Sequence, residues 1–143
     1  MRALILAAGL ALPAASAFAE MKDEEHIVGG RLVSISVSLD TLETLTVDRS
    51  HTDKMQVLSG ADIEIAALFG DAESVAMLGQ PVVVAEVTGT HSCEAGDAQN
   101  YWVITLGDVP APEGPLTTCQ ALTPSVTPGA VVLTGEGEAW TWS

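Results

Sequence analysis

The sequence predicts an all-β protein, or one that is mainly β with a single short helix, folded as a compact antiparallel sandwich or barrel with one disulfide. Three observations predict this class. Apolar and small polar residues alternate with period two along much of the chain, which is typical of strands with one buried face. Runs of β-branched residues are separated by segments rich in glycine and proline. Two cysteines occur in a chain whose first residues indicate export.

The predicted strands follow one another at short spacing. RLVSISVSL, residues 31–39, alternates valine, isoleucine and leucine with serine. ETLTVDR continues this pattern after a turn at Asp40 and Thr41. DIEIAALFG, residues 62–70, begins with the same alternation, although its AALF portion equally suits a short helix. PVVVAEVTG is the β-branched run of a central strand entered through Pro81, and YWVITLG is the next strand.

One helix and one long loop interrupt this series. GDAESVAMLGQ has helix-forming content, with Asp71 as the N-cap and Gly79 as the stop. GDVPAPEGP, residues 107–115, holds three prolines and two glycines, and we predict a loop there. AVVLTGEGEAWTWS is predicted to be a closing hairpin that turns at residues 135–137.

Residues 1–19, MRALILAAGLALPAASAFA, are predicted to be a secretory signal peptide. Arg2 precedes an apolar run that Pro13 breaks, and Ala17 and Ala19 place small side chains at the positions a signal peptidase must accept. The run is well short of the roughly 20 residues that span a bilayer. We therefore expect an exported protein, periplasmic or secreted, that does not span a membrane.

The exported chain would consist of an acidic lead, residues 20–30, which need not be ordered, and a single β-rich domain, residues 31–143. Removing residues 1–19 leaves four cations against 19 acidic residues, a net charge near −15. Such a surface repels nucleic acid and anionic lipid head groups. It suits a basic protein or an envelope component as a partner, and nothing in the sequence calls for a cofactor.

Cys93 and Cys119 are the two cysteines, and they bracket the strand YWVITL and the proline-rich segment. In an exported chain they form the simplest disulfide set. Closing a loop of about 27 residues would stabilise the fold by roughly 3 to 4 kcal/mol in the chain-entropy model.

A competing interpretation makes the same stretch a reactive or metal-binding site. His91 and Cys93 would then act with Glu94 and Asp97. Zinc requires three or four ligands at recognisable spacing, and neither a CxxC nor an HxxxH pattern is present. The sequence therefore favours the disulfide.

The acidic residues offer a second chemical alternative. Asp62 and Glu64 are two positions apart on a predicted strand, which places their carboxylates on one face about 7 Å apart. Such a pair, with His91 as a helper, could serve a small acid-dependent hydrolase or bind a metal. A solvated sheet face accounts for the same spacing, and the sequence contains no G-x-S-x-G elbow, phosphate-binding loop or calcium-loop pattern.

The order of Cys93, YWVIT, GPLTTCQAL and EAWTWS resembles a loose group of small exported bacterial β-domains. In that group a cysteine precedes a central strand, a second cysteine follows a glycine-containing loop, and the last strand is aromatic. The resemblance covers residues 81–143, and the GDVPAPEG segment departs from it. It implies a disulfide-stapled exported domain without assigned activity, and it provides no catalytic residues.

Most of the aromatic residues lie in two predicted strands, at Tyr101, Trp102, Trp140 and Trp142. Because neighbouring side chains alternate across a strand, Tyr101 and Trp102 cannot both be buried on one side. One of them faces outward unless a second layer covers it, and these four residues are the candidate partner-binding set. We therefore expect a non-enzymatic exported domain that binds a protein or cell-envelope partner, as an inhibitor or accessory factor.

Overall fold

The computed structural model describes residues 23–37, 42–50, 53–94 and 96–143. The predicted signal peptide lies outside these residues. In chain order the elements are β1 (Asp23–Val28), β2 (Arg31–Val37), β3 (Glu43–Ser50), β4 (Asp53–Phe69), α1 (Ala72–Leu78), β5 (Val82–Cys93), β6 (Gly96–Leu106), β7 (Pro110–Thr118), β8 (Thr123–Thr127), β9 (Ala130–Gly135) and β10 (Glu138–Trp142).

The strands form two antiparallel sheets in simple meander order. The larger sheet has seven strands, β1 to β7, and each strand pairs with its neighbour in the chain. The smaller sheet has three strands, with β9 between β8 and β10. This architecture confirms the predicted mainly β class with one short helix.

The long strand β4 lets the larger sheet fold back on itself. Its first part, Asp53–Gly60, pairs with β3, whereas residues 61–69 pair with β5. Val33 of β2 consequently belongs to the same buried core as Val83 of β5. The first half of the sheet, β1 to the start of β4, thus packs over the second half, from the end of β4 to β7, as the two layers of a sandwich.

The change of partner within β4 depends on two unusual positions. A Cβ atom on Gly60 would lie 2.6 Å from Cγ1 of Val87, so the close approach of β4 and β5 requires glycine there. Asp62 has a φ of 53° at a break in the strand register, a left-handed conformation at a bulge. The amide of the next residue, Ile63, donates a 2.6 Å hydrogen bond to a carboxylate oxygen of Glu43 on β3.

The first part of β5, residues 82–85, is buried on both faces, which explains the continuous apolar run there. Val83 and Ala85 belong to the core between the two halves of the larger sheet. The alternate residues Val82 and Val84 belong to a second core beneath the three-stranded sheet. The molecule therefore has three layers, and β5 lies in the middle one.

Part of the acidic lead is a strand of the larger sheet. Residues 23–28 pair with β2 along their whole length, and Val28 is only 1% exposed. The sequence does not show the alternation of a half-buried strand here, because four of the strand's six residues are acidic or histidine. Ile27 is 71% exposed, and Val28 is buried in the core.

The prediction of a loop at residues 107–115 is wrong for most of that segment, because β7 occupies Pro110–Thr118. Proline lacks the N–H that a central strand must donate to a neighbour. β7 is the last strand of its sheet and pairs with β6 alone. Pro110, Pro112 and Pro115 are therefore tolerated, as proline generally is on an edge strand.

The predicted helix and closing hairpin are confirmed. α1 begins after the N-cap Asp71 and ends at Gly79, which has the left-handed conformation of a C-cap. The alternative of a helix over AALF is not adopted, because β4 continues through Phe69. Within the described ranges, no helix has the length and apolar character needed to cross a membrane.

Candidate binding site

A crevice of about 100 Å³ opens where the second core reaches the surface, between the second half of the larger sheet and the three-stranded sheet. Buried valines of the second core supply its apolar wall. Its polar lining comes from side chains on β6, β7 and β10, from Gln80 between α1 and β5, and from Ser143 after β10. The residues on which the argument below depends are Val82, Val103, Thr105, Glu113, Val131 and Trp142.

Strand register places these side chains together. Glu113 on the edge strand β7 is directly opposite Val103 of β6, and Trp142 on β10 is opposite Val131 of β9. Directly opposed residues of an antiparallel pair project from the same face of the sheet. Glu113 therefore projects from the same face of its sheet as Val103, and Trp142 from the same face as Val131. The two side chains line the crevice from its two sides.

α1 closes one end of the crevice, where Leu78 contributes to its lining. The helix is held in place from both sides. Asp71 accepts hydrogen bonds from the Ser74 amide, at 3.2 Å, and from its hydroxyl, at 2.6 Å. These two bonds lower the pKa of the Asp71 carboxyl below its ordinary value. The amide of Gly129, in the turn between β8 and β9, donates to the carbonyl of Met77 at 2.8 Å.

The four predicted partner-binding aromatics do not form one surface. Tyr101 is only 1% exposed and belongs to the second core. Trp102, its neighbour, packs against the core on the other side of the sheet. Trp140 and Trp142 lie on one face of β10, partly exposed and against the second core. A second layer thus covers Tyr101, and of the four residues Trp142 alone lines the crevice.

Tyr101 serves as an internal support for the second core. Its hydroxyl oxygen accepts a 2.9 Å hydrogen bond from the amide of Leu122, in the segment that enters the three-stranded sheet. Burial raises the pKa of the Tyr101 phenol above its ordinary value, and the nearby Glu86 raises it further, whereas the Leu122 amide partly offsets both effects. The phenol thus remains neutral and joins two layers of the molecule.

The predicted disulfide is confirmed. Cys93 and Cys119 are bonded, with their Cα atoms 5.8 Å apart, and neither is a free thiol. The bond joins the end of β5 to the residue after β7. It fixes the edge strand β7, and with it Glu113, to the tip of the β5–β6 hairpin.

A shallow groove of about 500 Å³ lies beside this disulfide. It is lined by His91, Ala98, Thr117, Thr118 and Cys119, of which only Ala98 is buried. The weak metal alternative would combine His91 with Glu94 and Asp97. Among the residues that the structure describes, no three histidine, cysteine, aspartate or glutamate side chains gather in a group that could hold a metal ion.

The predicted carboxylate pair does not have the regular geometry that its spacing suggests. Asp62 occupies the bulge in β4, where the strand register shifts, so its alternation with Glu64 is interrupted. Both side chains are exposed. Glu64 instead lies directly opposite Glu86 on β5.

The loop predicted for residues 107–115 gives no reason to single out Glu113, which the structure places on β7. A signal was nevertheless present in the distribution of charge. From Met55 to Ser143 the chain has eleven acidic residues and no lysine or arginine. We call this part of the chain the cation-free segment; every residue that lines the crevice belongs to it.

No protein-family model matches the chain, and neither a curated protein nor a solved structure matches it.

Proposed function

We propose that this protein is an exported, non-enzymatic β-domain that binds a basic protein or a basic component of the cell envelope, as an inhibitor or accessory factor. The cation-free segment is the observation that carries the proposal. This part of the molecule has eleven acidic residues and no lysine or arginine, so its electrostatic potential is negative. Such a field attracts a cationic partner and accelerates its association.

The fold supports a binding role for this segment. It contains most of β4 and all the later elements, including the whole three-stranded sheet. The cations whose side chains the structure describes, Arg31 and Lys54, both lie in the first half of the larger sheet. The lysines and arginines therefore precede the cation-free segment, and the elements that line the crevice carry acidic residues without a lysine or arginine.

Export is supported by the residues at the start of the chain and by the disulfide. Disulfides persist in oxidising compartments and are rare in the cytosol. The Cys93–Cys119 bond is compatible with such a location. An oxidising compartment is also one in which a small acidic domain meets exported basic enzymes, and lysozyme-like enzymes are a physically sensible class of partner.

The test is a binding titration of the purified protein against a lysozyme and, separately, against an acidic protein of similar size. We expect binding to the lysozyme alone, and at least about a tenfold loss of affinity between 50 and 300 mM salt because exposed charges are screened. Absence of binding at low salt, or affinity that does not change with salt, would contradict the proposal.

A further inference from the structure

We propose that the crevice between β7 and β10 is a receptor site for one arginine side chain of the basic partner. This inference rests on the proposed function, because it names the group of the partner that the acidic layers recognise. Glu113 would pair with the guanidinium, Trp142 would stack against it, and the valine wall would receive the aliphatic stem.

The size of the crevice favours a single side chain. Small-molecule and cofactor pockets enclose roughly 300 to 1,000 Å³, whereas this crevice encloses about 100 Å³. The groove beside the disulfide is larger, at about 500 Å³, but it is open and has one buried lining residue. The crevice is the smaller and more enclosed of the two, and it combines an apolar wall with a carboxylate.

The chemistry of the lining matches the parts of an arginine side chain. Its methylene stem is apolar and packs on apolar surfaces while the charged end stays hydrated, as the wall of Val82, Val103 and Val131 would permit. The guanidinium is planar, pairs with carboxylates and stacks on aromatic rings. Glu113 and Trp142 provide these two groups on opposite sides of the opening.

Charge in the surroundings also favours a cation. Glu113 is exposed on the edge strand. Every element around the crevice belongs to the cation-free segment, so no lysine or arginine of its lining competes for the carboxylate. The hydroxyl of Thr105 donates to the carbonyl of Ala111 at 3.3 Å, so it does not occupy Glu113.

The test uses Nα-acetyl-arginine amide as the probe and the uncharged Nα-acetyl-citrulline amide as its matched control. The chain has three tryptophans, so an amide correlation spectrum shows three indole N–H signals, and Trp142→Phe assigns one of them. We expect the arginine probe to shift the Trp142 signal first, and the citrulline probe to leave it unchanged. Glu113→Gln should weaken binding of the arginine probe by about five- to tenfold, as expected for loss of a charge-assisted contact.

Glu94→Gln is the matched control variant, because it removes the same charge from an exposed residue that does not line the crevice. We expect it to change the affinity for the arginine probe by less than about twofold. The inference would be overturned if the two variants weakened binding of the arginine probe equally. It would also be overturned if the indole signal of Trp102 or Trp140 shifted first, or if the probe shifted no signal. Salt-dependent binding of the lysozyme in any of these cases would leave the proposed function intact and place its contact elsewhere.

Discussion

Nη1 of Arg31 donates a 2.8 Å hydrogen bond to the carbonyl oxygen of Gly107, which lies 76 positions further along the chain. The same nitrogen is 3.4 Å from the carbonyl oxygen of Leu106, and Nε donates to the carbonyl of Asp48 at 2.8 Å. One guanidinium thus joins β2, the end of β3 and the end of β6. It connects the two halves of the folded-over sheet at one edge of the core between them.

Replacing Arg31 with methionine should lower the free energy of unfolding by about 2 kcal/mol, because partly buried carbonyl groups lose a charged donor. Urea denaturation followed by tryptophan fluorescence measures this change. Lys54→Met removes the same charge from an exposed position and should alter stability by no more than about 0.5 kcal/mol. If the two variants were equally stable, Arg31 would contribute only its charge.

Tyr101 gives a direct measure of burial in the second core, because it is the single tyrosine of the chain. Its pKa is raised above the ordinary value, which is about 10. The folded state therefore favours the neutral phenol more than the unfolded state does. The corresponding stability is fully present below pH of about 10 and is lost as pH rises towards the folded pKa.

Phenolate absorbance at 295 nm should therefore show a higher midpoint in the native protein than in urea. Tyr101→Phe should abolish the titration and remove the additional loss of stability above pH of about 10. A native midpoint at or below that in urea would show that the phenol is hydrated rather than buried in the second core.

Reducing the Cys93–Cys119 bond should lower the free energy of unfolding by about 3.5 kcal/mol, from the entropy of a closed loop with a sequence separation of 26. The comparison is between the native protein and the double variant Cys93→Ala, Cys119→Ala, by urea denaturation. Because the bond also anchors β7, we expect hydrogen exchange in the variant to increase first in β7. Uniform acceleration across the larger sheet would instead indicate that the bond acts only on the unfolded chain.

The left-handed residue in β4 can be tested with a pair of substitutions. Asp62→Gly should retain more of the native stability than Asp62→Val, because glycine adopts a positive φ at little cost. Asp62→Val should destabilise the protein by about 1 to 2 kcal/mol, since a β-branched side chain is disfavoured in this conformation. Thermal unfolding of the two variants provides the comparison, and similar losses for both would mean that the aspartate side chain matters rather than the backbone.

The sequence was informative where local chemistry decides the structure. Asp71 and Gly79 bound the helix as predicted, because a side-chain cap and a left-handed stop act within a few residues. The run at Val82–Val84 identified a central strand, because burial on both faces leaves no place for alternation. Two cysteines in one chain allow a single internal pairing.

Features set by distant partners were not predictable. β7 was interpreted as a loop because proline disfavours strands in general, and only the sheet order shows that Pro110 and Pro112 lie on an edge. The change of partner within β4 depends on Val87 meeting Gly60, 27 residues earlier. The juxtaposition of Glu113 and Trp142 is of the same kind, since it requires two sheets to pack before the site exists.

The distribution of charge also determines where a protease can cut. Trypsin cleaves after lysine and arginine, and within the described residues its sites are Arg31, Arg49 and Lys54, all in the first half of the larger sheet. Cleavage there requires only that half to open, and it leaves an 89-residue fragment with an intact disulfide and no further trypsin site. A glutamate-specific protease cuts in both halves, so the ratio of the two digestion rates would separate opening of the first layer from unfolding of the whole molecule.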